Sequence, residues 1–130
     1  GLSLANSGLG AVHGLAGVIG GMTGAAHGAI CGALLGPVLA ANRSAANGAA
    51  RVRLEEVCMI LAEALGCQAA EAPGALQAWA WAAGLPGLAN LGVTPEMHRE
   101  IAVAALGASS MKGNPVALSE AILCDVLERS

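Results

Sequence analysis

The sequence has no phenylalanine and no tyrosine, and its 130 residues include only two tryptophans. Its hydrophobic share of 55% therefore consists mainly of small and aliphatic side chains. Alanine and leucine are strong helix formers, and few segments alternate between apolar and polar residues with the two-residue period of a strand. These features argue against a β fold and predict an all-α chain.

Charged residues are also scarce, since six Lys and Arg and nine Asp and Glu give a net charge of −3. The basic residues are scattered, so no stripe can neutralise a phosphate backbone, and we expect no nucleic-acid partner. The four cysteines contain no CxxC pair, and the chain opens without the charged start of a signal peptide. We expect a cytoplasmic location with reduced thiols, and Cys58 and Cys124 packed as small core residues.

Charge is absent from residues 1–42, where glycine is most abundant. Gly24, Gly28, Gly32 and Gly36 recur at every fourth position, which predicts a helical face that permits close helix contact. The same spacing in an apolar stretch is typical of membrane helices, so a membrane-associated hairpin is an alternative. Because the stretch is interrupted at 19–24 and each part carries a histidine, we favour a buried helical hairpin over residues 1–42.

Residues 51–130 have the pattern of amphipathic helices. From 51 to 65 the apolar residues follow a helical stripe, which Gly66 should end. A shorter helix should begin at Pro73 and end at Gly84, and because Trp79 and Trp81 are two positions apart, we expect one in the core and the other half-exposed.

Two further helices have clear start signals. Thr94-Pro95-Glu96 offers an N-cap, a proline in the first turn and an acid beside it, and Ser119 is the expected N-cap of the last helix. The total is a bundle of about six helices. A chain of this length is enough for one domain, so we predict a single helical domain over 1–130.

His13 and His27 are embedded in glycine-rich, apolar surroundings. One such histidine is usually a hydrogen-bonded core residue, but two on adjoining helices favour a metal site. If His13 ends one helix and His27 begins the next across a turn at Gly20-Gly21, a hairpin can direct both imidazoles towards one ion. His98 falls on a charged helix face, and we assign it no role.

Several segments carry a specific resemblance. They are residues 8–16 (GLGAVHGLA), Gly20-Gly21, His27-Gly28 fourteen positions after His13, residues 34–42, and residues 114–119 (NPVALS) before the final helix. Together they resemble the C-terminal, helical metal-binding domain of the iron-containing alcohol dehydrogenases. The resemblance implies the helical domain of the dehydroquinate synthase-like and iron alcohol dehydrogenase fold.

In that family, a nucleotide-binding domain holds NAD(P) and the helical domain holds a divalent ion, iron or zinc. The resemblance makes His13 and His27 two of the four metal ligands, whereas the other two, an Asp and a His, lie on helices upstream. No acidic residue precedes Glu55 in this sequence, so the metal site should be weak. Gly17 stands where the family commonly has a proton-relay histidine, and we therefore name no catalytic residue.

The expected function is that of an isolated helical domain from an NAD(P)-dependent, alcohol dehydrogenase-like oxidoreductase, inactive alone and unable to bind NAD(P) by itself. Its partner should be a second copy of the chain, most simply in a dimer, or a complementing nucleotide-binding chain. The uncharged first third would otherwise leave apolar surface exposed. Two alternatives stay open: a non-catalytic helical interaction module that has kept the fold, and a fragment of an ordinary dehydrogenase.

Overall fold

A computed structural model describes residues 10–130; the first nine residues of the predicted hairpin lie outside this range. The described residues form six α-helices and no strand, which confirms the all-α prediction. The helices are α1 (Gly10–Thr23), α2 (His27–Ala45), α3 (Gly48–Leu65), α4 (Ala72–Ala82), α5 (His98–Leu106) and α6 (Glu120–Arg129). Short 3₁₀ turns connect them at Ala69–Glu71, Leu88–Leu91, Pro95–Met97 and Ser109–Gly113.

The turn of the hairpin lies later than the sequence predicts. Helix α1 continues through Gly20 and Gly21, and the chain reverses at Gly24, whose φ of 74° is left-handed. The Thr23 hydroxyl donates to the Ile19 carbonyl at 2.8 Å and accepts from the Ala25 amide at 3.1 Å, which closes the helix end. The predicted hinge at Gly20-Gly21 is therefore wrong, because two glycines allow a turn but do not enforce one.

The main core lies where α1 and α2 meet α5 and α6. Helix α1 contributes one apolar face, and α2 contributes the facing residues, so within residues 10–42 one face of each helix is buried while the turn between them stays exposed. Its fully enclosed side chains include Leu15, Ile19, Ile30, Leu34, Val38, Ile101, Leu123 and Val126.

A second, smaller core lies at the other end of α2. It joins that end to α3 and to the start of α4 through Leu39, Ala46, Leu54, Cys58, Ala62 and Ala72. Cys58 is fully buried there, as predicted, whereas Cys124 is half-buried beside the main core. Helix α2 thus takes part in both cores, which makes it the central element of the described fold.

The predicted glycine face is used only in its second half. A Cβ on Gly36 would meet the Pro73 carbonyl oxygen at 2.9 Å, and one on Gly32 would meet Leu85 at 3.2 Å. Close packing of α2 against α4 therefore requires the absence of a side chain at Gly36. Gly28 has no neighbour within 4 Å of such a Cβ, and Gly24 belongs to the turn.

The later helices follow most of the predicted boundaries. Helix α3 begins three residues early, at Gly48, and ends as expected at Gly66, whose φ is 72°. The Ser119 hydroxyl accepts the Ile122 amide at 3.2 Å, which confirms the predicted cap of α6. The prediction for the tryptophans is wrong: Trp79 and Trp81 are 57% and 52% exposed. Ala80, between them, takes the buried position.

Asn42 is the buried polar residue of the described core. Its side chain exchanges two hydrogen bonds with Asn114, which also accepts the Ala11 amide at 3.1 Å. A Cβ on Gly10 would clash with the backbone of residues 110–114, so α1 begins in direct contact with this loop. These contacts hold the first turn of α1, which carries His13.

Among the helices of residues 10–130, none combines the length and hydrophobicity needed to cross a bilayer.

Candidate metal centre

His13 and His27 lie next to each other at the surface of the α1–α2 hairpin. Their ring centroids are 6.1 Å apart, and the ring planes differ by 11°. The expected convergence of the two imidazoles is therefore present in the structure. One detail of the prediction is wrong, because His13 is the fourth residue of α1 and does not end it, whereas His27 is the first residue of α2, as predicted.

Cys31 is the third member of this group. It follows His27 by four positions on α2, and residues at this spacing share one helix face. One ligand atom from each of His13, His27 and Cys31 lies within 4.8 Å of the other two. We call this group the His13–His27–Cys31 cluster; it is the one group of three such residues found in the described range.

Cys31 was missed by the sequence interpretation, although its signal was visible. A histidine and a cysteine four positions apart in a helix form a two-donor pattern, and among the cysteines only Cys58 and Cys124 were given a predicted environment. The spacing of the two histidines indicated a site made of two imidazoles and gave no role to a cysteine. Neither His27 nor Cys31 identifies the site unless His13 from another helix is known to face them.

The cluster is accessible from one side. Cys31 and His13 are half-buried, whereas His27 is exposed. Burial raises the pKa of the Cys31 thiol, so the thiol is protonated at neutral pH in the absence of an ion. Cys31 also packs against the main core, which holds its side chain on the hairpin rather than in open solvent.

Glycines leave space around the cluster. A Cβ added to Gly17, one turn after His13, or to Gly28, beside His27, would meet nothing within 4 Å. On a different side of α1, Gly14 lies so close to Met111 that an added Cβ would stand 3.1 Å from the methionine Cε. The helix is thus anchored on one side and open at the other, where the imidazoles lie.

The donor set fits a divalent ion of the zinc type. Tetrahedral zinc takes nitrogen at about 2.0–2.1 Å and sulfur at about 2.3 Å, which places donor atoms roughly 3.3–3.6 Å apart. The present separations are at most 4.8 Å, so the three side chains need to draw together by about 1 Å. Rotation about side-chain bonds can supply a movement of this size at a partly exposed site.

The first carboxylate of the chain does not belong to the cluster. Glu55, on α3, accepts two hydrogen bonds from Arg43, at 2.8 and 3.1 Å, and a third from Arg51 at 3.0 Å. These hydrogen bonds lower the pKa of the Glu55 carboxyl, that from Arg43 most of all. His98 lies elsewhere, beside a cleft lined by residues that include Leu88, Val93 and Leu127.

The family of the chain follows from comparison with known proteins. The model of the C-terminal domain of the Fe-containing alcohol dehydrogenase family matches residues 1–130. The chain therefore belongs to this family, in agreement with the resemblance seen in the sequence. No match is found among curated proteins or among solved structures.

Proposed function

We propose that this chain is the metal-holding helical domain of an NAD(P)-dependent alcohol dehydrogenase, and that His13 and His27 bind the ion. The observation that carries the proposal is the approach of the two imidazoles, with ring centroids 6.1 Å apart, at the surface of the hairpin. Membership of the Fe-containing alcohol dehydrogenase family supports the same function.

The ion supplies Lewis-acid polarisation of an alcohol or carbonyl oxygen when it is bound. The chain's own contribution is to hold two imidazoles in place, one on the anchored helix α1 and one in the first turn of α2. Hydride transfer also needs a nicotinamide cofactor. We propose that this cofactor comes with another domain or chain, which is supported by the lack, among residues 10–130, of a strand followed by a glycine-rich turn of the kind that dinucleotide sites use.

A partner is part of this proposal. Several large apolar side chains are exposed, among them Met59 (62%), Ile60 (58%) and Trp79 (57%). A partner that covers these side chains would remove their apolar surface from water. We propose that the chain forms a homodimer or associates with a nucleotide-binding chain, and that it is inactive without that nucleotide-binding unit.

Metal titration tests the proposal. Isothermal calorimetry with Zn²⁺ or Fe²⁺, the latter without oxygen, should show one ion per chain, and His13→Ala or His27→Ala should abolish binding. His98→Ala is the matched control, because it removes an imidazole at a different place in the fold. Equal binding by all three variants would contradict the site.

A second candidate function is a non-catalytic interaction module derived from the same fold. Gly17 favours it, since the open position one turn after His13 lacks the histidine common in the family. Absence of Zn²⁺ and Fe²⁺ binding at micromolar concentrations, with a folded chain, would support the module and reject the metal-holding domain.

A further inference from the structure

The His13–His27–Cys31 cluster contains a thiol that the two-histidine site leaves without a role. Cys31 lies one helical turn after His27, on the same face of α2, and its sulfur belongs to the group of donor atoms within 4.8 Å. A single half-buried cysteine is ordinarily a small core residue. Here, however, the sulfur approaches two imidazoles from two different helices, which is an arrangement that packing alone does not require.

We infer that Cys31 is a metal ligand, and that the chain holds zinc in preference to iron(II) through two imidazoles and one thiolate. This inference rests on the proposed function, because it concerns the same ion. Three protein ligands are the usual number in zinc sites that keep a fourth position open for water or substrate. Residues 13–31 therefore provide three donors, two nitrogens and one sulfur, for one ion.

The choice of metal follows from the sulfur. Thiolates are soft ligands that favour zinc over harder ions, and zinc also exceeds iron(II) in the general order of affinities for nitrogen and sulfur sites. When the ion binds, a bond forms between Cys31 Sγ and the metal, and the thiol proton leaves to solvent. No electron is transferred in this step, so no oxidant or reductant is needed.

The position of Cys31 also reduces the entropy that His27 and Cys31, both on α2, lose when they bind one ion. His27 and Cys31 are held by the same helix, so their separation is set by the helix backbone and little conformational freedom is lost when both bind. Only His13 must approach from α1. A two-imidazole site, in contrast, depends wholly on the relative placement of two helices.

Cobalt(II) provides the direct test, because a thiolate bound to cobalt gives an intense charge-transfer absorption in the near ultraviolet that imidazole ligands do not give. We expect the full chain, kept reduced, to show this absorption on titration with Co²⁺. Cys31→Ser should remove it and raise the dissociation constant by at least about tenfold, since the loss of even an outer-shell partner commonly costs about 10–100-fold. Cys67→Ser, at another half-buried cysteine, should change neither.

A measurement on the unaltered chain guards against a variant that does not fold. Zn²⁺ should slow the alkylation of Cys31 by iodoacetamide and leave the alkylation rate of Cys67 unchanged. Peptide mass spectrometry measures both rates. In a competition experiment, a tenfold excess of Fe²⁺ without oxygen should fail to displace Zn²⁺.

The outcomes separate the inference from the proposed function. If Co²⁺ binds and His13→Ala abolishes binding, but the thiolate absorption is absent or persists in Cys31→Ser, Cys31 is not a ligand and the two-histidine site stands. Equal Zn²⁺ and Fe²⁺ affinities would overturn the metal preference. If neither Co²⁺ nor Zn²⁺ binds the folded chain, both the inference and the proposed function are wrong.

Discussion

Asn42 and Asn114 are 72 residues apart in the chain and exchange two side-chain hydrogen bonds, of 3.0 Å and 2.7 Å. Asn42 is fully buried, and Asn114 uses its remaining capacity on the Ala11 amide and the Val116 carbonyl. One amide pair thus links α2, the start of α1 and the loop before α6. The arrangement fixes the helical turn that carries His13, so the Asn42–Asn114 contact helps to position the candidate metal site.

Replacement of Asn42 by Ala should destabilise the fold by about 1–3 kcal/mol, because it removes both side-chain hydrogen bonds to Asn114 from a fully buried position. Urea unfolding followed by circular dichroism measures this loss. Asn90→Ala, at an exposed position, should change the free energy of unfolding by less than about 0.5 kcal/mol. In the double variant with Asn114→Ala, the two losses should be clearly less than additive; simple additivity would show that the pair is not coupled.

Two glycines of the hairpin should respond to alanine in opposite directions. Gly17→Ala should stabilise the chain by up to about 1 kcal/mol, since the position is in a helix interior with open space for a Cβ. Gly24→Ala should destabilise it by about 1–2 kcal/mol, because φ there is 74°. Thermal unfolding of the two variants makes the comparison. A stabilising Gly24→Ala would place the turn elsewhere, for instance at Gly20-Gly21.

The Arg43–Glu55 contact should make stability depend on pH. The pKa of Glu55 is lowered in the folded chain, mainly by the hydrogen bond from Arg43, so the unfolded chain takes up the proton at higher pH. The stabilisation is fully present above the unfolded value of about 4.3 and is lost as the pH falls through the folded value. Glu55→Gln should therefore lower the free energy of unfolding at pH 7. On acidification, this free energy should fall less in the variant than in the unaltered chain. Urea unfolding at several pH values tests this, with the exposed Glu56→Gln as control.

The exposed tryptophans provide a test of the proposed dimer. In a monomer, Trp79 and Trp81 are more than half exposed, so iodide should quench their fluorescence efficiently. If a second copy or another chain covers α4, quenching should weaken and the emission should shift to shorter wavelength as the concentration increases. Light scattering on the same samples gives the mass. A monomer at all concentrations, with fully quenched emission, would contradict the homodimer.

Local signals in the sequence predicted helix ends well. Gly66 ends α3 in the left-handed conformation, and Ser119 caps α6 with its hydroxyl. In both cases the interaction that ends or begins the helix lies within one turn of the residue concerned. A short sequence pattern is therefore enough to predict it. The predicted hinge at Gly20-Gly21 was wrong, because two glycines permit a turn without enforcing one and the helix continues to Thr23.

Burial at single positions was harder to predict. Trp79 and Trp81 are large and apolar, yet the small Ala80 between them is buried, and Gly36 brings α2 and α4 too close for a large side chain at their contact. The size of the side chain that fits is set by the distance between helices. That distance depends on both partners at once, and neither segment specifies it alone.

The sequence by itself determined the all-α composition, most helix ends and the pair of histidines in an uncharged hairpin, because these depend on propensity, periodicity and residues close in the chain. Only the tertiary structure brought Cys31 towards His13, and Asn42 towards Asn114. Such contacts depend on how whole helices pack through shared cores, a property of the complete set of side chains that no short pattern carries.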